Sequence, residues 1–141
     1  MESTLIDFIL FAPIESKNIE NLLFEPKNNK KILIFIHENL TDEIKVFINN
    51  VMNAIKINVE SETQIIQSED NDHFNILNSK PLTFILMGVN IEKLNLNLNL
   101  PLYHLFQFQQ HYLLKTDPAS VIVKDNNLKK KLWEAIKDNK F

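Results

Sequence analysis

Continuous apolar runs and one amphipathic stretch give the first half of the chain an alternation of strand and helix. Residues 32–36 read Ile-Leu-Ile-Phe-Ile without a polar interruption, which is typical of a strand buried on both faces of a parallel sheet. Residues 44–55 place apolar side chains at alternating intervals of three and one, behind Thr41 or Asp42 as a cap. This spacing predicts an amphipathic helix, and a strand followed by a helix indicates a βαβ unit.

The middle of the chain predicts two more strands and a short helix. Thr63 to Gln67 and Leu82 to Met87 are strand-forming runs, and the second stops at Gly88. Between them, His73 to Asn78 predicts a short helix. Residues 94–100 alternate Leu and Asn strictly. Their period of two fits a strand, but Asn is a poor strand former, so a loop with inward-facing leucines fits equally well.

The C-terminal part predicts a strand pair and a final helix. Leu102 to Phe108 and His111 to Lys115 predict strands joined by a tight turn at Gln109-Gln110. Residues 126–138 predict a helix, because apolar side chains recur at helical spacing and lysines fill the opposite side. The predicted buried stripe of this helix consists of Leu128, Leu132, Trp133 and Ile136.

These elements predict an α/β fold, a three-layer αβα sandwich with a mostly parallel central sheet of four to five strands. Residues 31–141 form the predicted globular domain. Ahead of it, a polar linker at 15–30, which contains Pro26, follows an apolar segment at 1–14. The apolar segment either packs on the domain or docks in a partner's groove as a short helix or strand.

The composition of the 141-residue chain excludes several function classes. Without Cys, the chain has no disulfide framework, thiolate metal site or cysteine nucleophile. The single glycine, Gly88, cannot build a glycine-rich phosphate loop, so no nucleotide or other cofactor is predicted. No apolar run approaches the roughly 18 residues of a membrane span, and the N-terminus lacks the basic lead of a signal peptide. We therefore expect a cytoplasmic protein that does not enter the membrane.

The fifteen basic residues are all lysines, and the net charge is −3. Arginine supplies the bidentate fork that reads guanine edges and phosphates, so direct nucleic-acid binding is not expected. Abundant Lys, Asn and Ile are typical of an AT-rich bacterial genome. The run Lys129-Lys130-Lys131 points in three directions around a helix and therefore predicts a solvated face.

Titratable residues offer few candidates for chemistry. No two of the four histidines have the i, i+4 spacing of a zincin site, and the acidic stretch 60–72 predicts a solvated loop, so no metal site is predicted. His37-Glu38-Asn39 follows the first buried strand, where sites of open α/β sheets lie. These residues suit acid–base work, although an ordinary polar loop is the simpler interpretation. His104 and His111 lie on neighbouring predicted strands, close enough in the sequence to approach each other.

Three C-terminal segments carry a family resemblance. They read Pro101-Leu102-Tyr103-His104, Tyr112-Leu113-Leu114-Lys115 and Leu128-Lys129-Lys130-Lys131-Leu132-Trp133-Glu134-Ala135-Ile136-Lys137. The region resembles the end of uracil-DNA glycosylase-like domains, and more closely the psi-subunit-like proteins of bacterial DNA polymerase III, which are reduced relatives of that fold. The resemblance covers roughly residues 31–141 and implies a uracil-DNA glycosylase-like fold.

The chain departs from active glycosylases at two catalytic loops. After the first strand, those enzymes carry a Gly- and Pro-rich loop with an acidic residue, whereas this chain has His37-Glu38-Asn39-Leu40. Their His-Pro-Ser element has its nearest counterpart in His111-Tyr112-Leu113, which lacks the Pro and the Ser. The resemblance thus implies a fold without its catalytic loops. The alternative is a divergent glycosylase-like enzyme that uses Glu38 and His111.

The resemblance implies a non-catalytic, psi-like accessory subunit of the bacterial replicative polymerase. In that family an N-terminal peptide reaches the clamp-loader collar and the globular domain holds the chi subunit. The implied partners are tau/gamma-like clamp-loader subunits and a chi-like subunit. The implied anchors are Leu5, Phe8, Ile9 and Phe11, with the two aromatic rings foremost. A stand-alone interaction domain with another partner is a further alternative.

Overall fold

A computed structural model describes residues 17–18, 31–70, 72–76 and 81–137. Within these ranges the chain forms seven strands, four α-helices and one 3-10 helix. The strands are β1 Lys17–Asn18, β2 Ile32–Ile36, β3 Thr63–Gln67, β4 Phe74–Asn75, β5 Thr83–Met87, β6 Phe106–Phe108 and β7 His111–Thr116. The helices are α1 Asp42–Ala54, α2 Val59–Glu62, α3 Ala119–Val123 and α4 Asn126–Ile136, with the 3-10 helix at Ile91–Leu94.

Five strands form one mixed sheet in the order β3-β2-β5-β7-β6. The first four are parallel, and only β6 runs antiparallel, to β7. One row across the parallel strands consists of Ile65, Ile34, Ile85 and Leu114. The predicted α/β fold with a mostly parallel sheet of four to five strands is confirmed at this level. The short strands β1 and β4 form a separate parallel pair, which places Lys17–Asn18 of the predicted linker beside the domain.

Helices cover one face of the sheet. The side chains of Ile32, Ile34 and Ile36 enter a core cluster with apolar residues of α1, α3 and α4. Helix α1 begins where Thr41 Oγ1 accepts a hydrogen bond from the Ile44 amide. Helix α4 begins where Asp125 accepts from two amides of its first turn. These caps satisfy backbone donors that a helix leaves unpaired, so the predicted α1 and α4 form close to their expected positions.

The opposite face is covered by irregular chain. Its core cluster joins Leu33, Phe35 and Phe84 of the sheet to apolar residues between 74 and 100. No α-helix of the described residues lies on this face, so the third, helical layer of the predicted sandwich is not shown. The handedness of the crossovers explains the division. The step from β2 to β3 runs opposite to the steps from β3 to β5 and from β5 to β7, and right-handed connections of opposite direction lie on opposite faces.

Three local predictions differ from the structure. The predicted helix at 73–78 is wrong, because Phe74–Asn75 form β4, and Phe74 and Ile76 are buried on either side of exposed Asn75. The predicted strand at 102–108 begins only at Phe106, since Tyr103 has a left-handed backbone with φ of 60°. Trp133 was predicted to be buried, but it is 42% exposed.

The Leu/Asn alternation at 94–100 resolves in favour of a loop. Leu94 and Leu100 are buried and the asparagines between them are exposed, without a strand. Its leucines therefore face the sheet, as one of the two interpretations expects. Among the described residues, no helix has the length and apolar character needed to cross a membrane.

Candidate functional site

Several residues that could bind a ligand or act as acid or base lie at the carboxyl edge of the sheet. Strands β2 and β5 are neighbours, yet the chain leaves β2 toward the helical face and leaves β5 toward the opposite face. Open α/β sheets bind ligands at such a divergence. The residues placed there are His37 and Glu38 after β2, Gly88 after β5, and Asp117 and Pro118 after β7.

Pro118 fills the part of this edge beside β5. A Cβ built on Gly88 would lie 2.7 Å from Pro118 Cγ and 3.0 Å from its Cα. The Gly88 amide also donates a 2.9 Å hydrogen bond to the Thr116 carbonyl. The single glycine of the chain therefore admits a proline ring, and its amide is engaged within the protein instead of facing an anion.

Glu38 reaches from the end of β2 to the start of α3. Its Oε2 accepts a 3.1 Å hydrogen bond from the Ser120 amide. Pro118, at the N-cap position of α3, makes no side-chain capping hydrogen bond. Glu38 therefore supplies the acceptor that the first turn lacks. The carboxylate that was a candidate acid or base holds two segments of the carboxyl edge together.

His37 lies on the outer side of the same edge. Its Nδ1 is 3.0 Å from the Ser68 carbonyl, and its Nε2 is 2.7 Å from Asp70 Oδ1. Lys93 Nζ donates to the backbone carbonyls of Glu69 and Asp70 and so fixes the acidic loop. The cleft between these groups has a volume of about 520 Å³. It is open and polar, and Asp70 is 87% exposed.

Among the described residues, no group of three or more His, Asp or Glu side chains is arranged to hold a metal ion. The pair of His37 and Asp70 instead forms an exposed contact between the segments after β2 and β3. An exposed pair of this kind contributes little to stability.

His111 lies at the opposite, amino edge of the sheet. It begins β7 and is buried. Its ring stands edge-on to Phe84 at 5.4 Å, and the Leu82 amide lies 3.1 Å from Nδ1. Burial lowers the pKa of the imidazole, and backbone hydrogen bonds at Ile76 and Leu82 offset part of this shift. The surroundings are those of a core histidine held in its neutral form.

The structure does not bring the two glycosylase-like candidates together. Strand β7 runs from His111 to Thr116, a rise of about 16 Å at the usual 3.3 Å per residue. Glu38 lies at the far end of that rise. His104 and His111 are also apart, because the neighbouring Tyr103 pairs with Lys115 near the carboxyl end of β7.

A second cleft, of about 690 Å³, lies between the 102–104 loop and the start of α4. Tyr103 Oη donates a 2.7 Å hydrogen bond to Asp117 Oδ2. Burial and this contact raise the pKa of Tyr103. Asp117 is not among the predicted site residues, although Asp117-Pro118 predicts the opening of a short helical or irregular stretch before the final helix. The signal was present, since an Asp-Pro pair ahead of an apolar run marks a turn into a helix.

The third feature is an apolar groove on the helical face, with a volume of about 280 Å³. It lies between α1 and α4 and is lined by Phe47, Asn50, Val51, Ala54, Lys129, Leu132 and Trp133. Trp133 is 42% exposed, and Val46, one turn before Asn50, is 57% exposed. The groove and these two side chains leave apolar surface in water on the helical side of the domain.

The predicted anchors Leu5, Phe8, Ile9 and Phe11 lie outside the described residues. Searches against protein-family models, curated proteins and solved structures find no match to this chain.

Proposed function

We propose that this chain is a non-catalytic protein-binding subunit that acts as a psi-like accessory of the bacterial replicative DNA polymerase. The observation that carries the proposal is that two residues at the carboxyl edge of the sheet, Gly88 and Glu38, are engaged with the protein's own groups. Pro118 lies against Gly88, and Glu38 is engaged with the α3 backbone. A substrate that bound at Gly88 or Glu38 would have to displace these groups, at the edge where α/β enzymes keep their sites.

Exposed apolar side chains support a binding function. Trp133, Val46 and Leu102 each leave more than a third of their surface in water. Large aromatic side chains contribute much of the energy of protein interfaces when a partner covers them. Trp133 and Val46 lie on the surfaces of α4 and α1, and Leu102 lines the cleft beside Asp117, so a protein can contact them without displacing Pro118 or Glu38.

The replication role rests on the resemblance of residues 31–141 to psi-subunit-like proteins. Under this proposal the domain has the uracil-DNA glycosylase-like, three-layer αβα fold, and the protein works in the cytoplasm. The anchors Leu5, Phe8, Ile9 and Phe11 of the 1–14 segment bind tau/gamma-like clamp-loader subunits, while the globular domain binds a chi-like subunit. Large apolar anchors on a short peptide suit this mode of docking.

The test is affinity capture from the extract of the native cell with identification by mass spectrometry. Full-length protein is compared with a chain that begins at Lys30. The proposal expects clamp-loader subunits with the full-length protein and not with the shorter chain. A Phe8→Ala, Phe11→Ala double variant should also lose them, whereas Phe24→Ala, in the predicted linker, should retain them. Failure of the full-length protein to capture any clamp-loader subunit would contradict the replication role.

A second assay tests the absence of catalysis. Purified protein is incubated with uracil-containing DNA, and released uracil is measured. We expect no excision above the level of a buffer control. Excision that disappears in Glu38→Gln or His111→Gln would show that the proposal is wrong and that the enzyme interpretation is right.

A further inference from the structure

We propose that the groove between α1 and α4 binds an acidic amphipathic helix of a partner protein, with Trp133 as the central contact. The inference rests on the protein-binding function proposed above. It assigns that function to one surface and gives the chemistry of the partner segment.

The shape of the groove favours a helical occupant. On α1, Phe47, Val51 and Ala54 follow one another at i, i+4 and i+7 and so form a straight row. On α4, Leu132 and Trp133 face that row from the other side. The row on α1 and the exposed Trp133 ring on α4 bound an elongated apolar groove. An amphipathic helix can lay its i, i+3, i+4 and i+7 side chains into such a groove.

Trp133 is unusual among the apolar residues of α4. Leu132 and Ile136 are buried in the domain core, whereas Trp133 stays 42% exposed at the wall of the groove. Tryptophan carries a large apolar surface and is enriched at the energetic centre of interfaces. A partner helix in the groove would cover this indole without any change in the core beneath it.

The charged residues around the groove indicate which charge the partner helix carries. Among the residues that the structure describes, Lys129 is the only charged one that lines it, and it lies one helical turn before Trp133. The α1 wall contributes neutral Asn50. Glu134, next to Trp133 in the sequence, is paired with Lys137. The α4 side of the groove therefore presents a positive charge at Lys129, which complements glutamate or aspartate beside the apolar anchors, while Glu43 lies one turn before Phe47 at the far end of the α1 row.

The Lys129 charge and the Trp133 ring contribute differently to binding of the partner helix. An exposed ion pair to Lys129 would contribute only about 0.2–1 kcal/mol, so burial of the Trp133 ring supplies most of the affinity. The charge acts on selectivity and on the rate of association. A basic helix with the same apolar anchors should therefore bind more weakly, but the anchors alone should retain some affinity.

The chain has only one tryptophan, so its fluorescence reports on the groove directly. The probe is a synthetic helical peptide with leucine and phenylalanine at i, i+3, i+4 and i+7 and glutamate on its polar face. A matched peptide carries lysine in place of glutamate. Titration of the full-length protein with the acidic peptide should shift the Trp133 emission to the blue and protect it from acrylamide. The lysine peptide should bind roughly tenfold more weakly.

Charge reversal tests the role assigned to Lys129. Lys129→Glu should reverse the preference between the two peptides. Lys45→Glu, on the exposed part of α1 and outside the groove lining, should leave the preference unchanged. Equal binding of both peptides, or the same effect from both variants, would overturn the proposal.

Two other occupants of the groove, the chain's own N-terminal segment and a second copy of the chain, are distinguished by separate measurements. Residues 1–16 carry Glu2, Asp7 and Glu15 without a lysine, so a peptide of this sequence is titrated as well. If it binds as tightly as the acidic probe, the occupant is the chain's own N-terminal segment and the partner proposal is wrong. A blue shift of Trp133 that grows with protein concentration alone would assign the groove to a second copy, and would also overturn it.

The outcomes separate this inference from the proposed function. If clamp-loader capture succeeds while the acidic peptide leaves the Trp133 emission unchanged, the groove assignment fails and the replication role stands. If the peptide binds with the expected charge preference while capture fails, the groove assignment stands and the replication role fails.

Discussion

Pro118 packs directly on the backbone of Gly88, so closely that a Cβ at position 88 would lie 2.7 Å from the proline Cγ. Gly88 also has a φ of +72°, a left-handed conformation that other residues adopt at a cost. The contact joins the ends of β5 and β7 at the carboxyl edge of the sheet.

Gly88→Ala should therefore destabilise the protein strongly. The left-handed backbone costs about 1–2 kcal/mol for alanine, and the overlap with Pro118 adds about 1–3 kcal/mol. Urea unfolding would measure the loss in the free energy of unfolding. In the Gly88→Ala, Pro118→Ala double variant, the loss should be smaller than the sum of the two single losses, because the overlap with Cγ is gone. Additive losses would show that the two residues are not coupled.

Glu38→Ala should lower the free energy of unfolding by about 1 kcal/mol, because the Ser120 amide loses its acceptor. Glu38→Gln keeps an oxygen at the same place and should retain most of the stability. Asn39→Ala, at the exposed neighbouring position, is the matched control and should change stability little. Equal losses in Glu38→Ala and Glu38→Gln would argue for the charge of the carboxylate instead of its hydrogen bond.

His111 should make stability depend on pH in the mildly acidic range. Burial lowers the pKa of the folded-state imidazole, while the unfolded chain titrates near 6.5. Below that value the unfolded state binds a proton that the folded state resists, so the free energy of unfolding falls as pH falls. Urea unfolding at pH 7 and pH 5.5 measures the difference. His111→Gln should flatten it, whereas His104→Gln, at an exposed position, should not.

Tyr103 should resist ionisation in alkali, because burial and Asp117 raise its pKa. The chain has two tyrosines, so a Tyr112→Phe background isolates Tyr103. Tyrosinate absorbance should appear only well above the ordinary value near 10. Asp117→Asn should lower the pKa, since the carboxylate charge that opposes ionisation is removed. The stability of the folded state falls as pH rises above about 10, so circular dichroism is recorded alongside, and a rise in absorbance near pH 10 while the fold is retained would contradict the assignment.

The central strands and the two long helices could be predicted because their patterns are local. Residues 32–36 are apolar at every position, and this alone indicates burial on both faces. The spacing of Ile44, Ile48 and Met52 identifies the buried side of α1. Such features need no knowledge of what the rest of the chain does.

The predictions that the structure does not bear out share a cause, because each depends on how distant parts of the chain pack together. Trp133 fits the apolar spacing of α4, and only the position of α1 leaves its ring at an open groove. The candidates Glu38 and His111 both suit acid–base chemistry, but strand direction decides that they lie at opposite edges of the sheet. A helix was predicted at Phe74, where pairing with a distant strand overrides local preference.

The order of the elements along the chain also affects how the protein folds during its synthesis at the ribosome. Leu132 and Ile136 of α4 complete the same core cluster as β2 and α1, which are synthesised long before them. Until α4 emerges, the nascent chain carries a partly covered row of isoleucines on this face. Intermediates of this kind are prone to aggregation. Synthesis of α4 therefore completes the cover over these isoleucines.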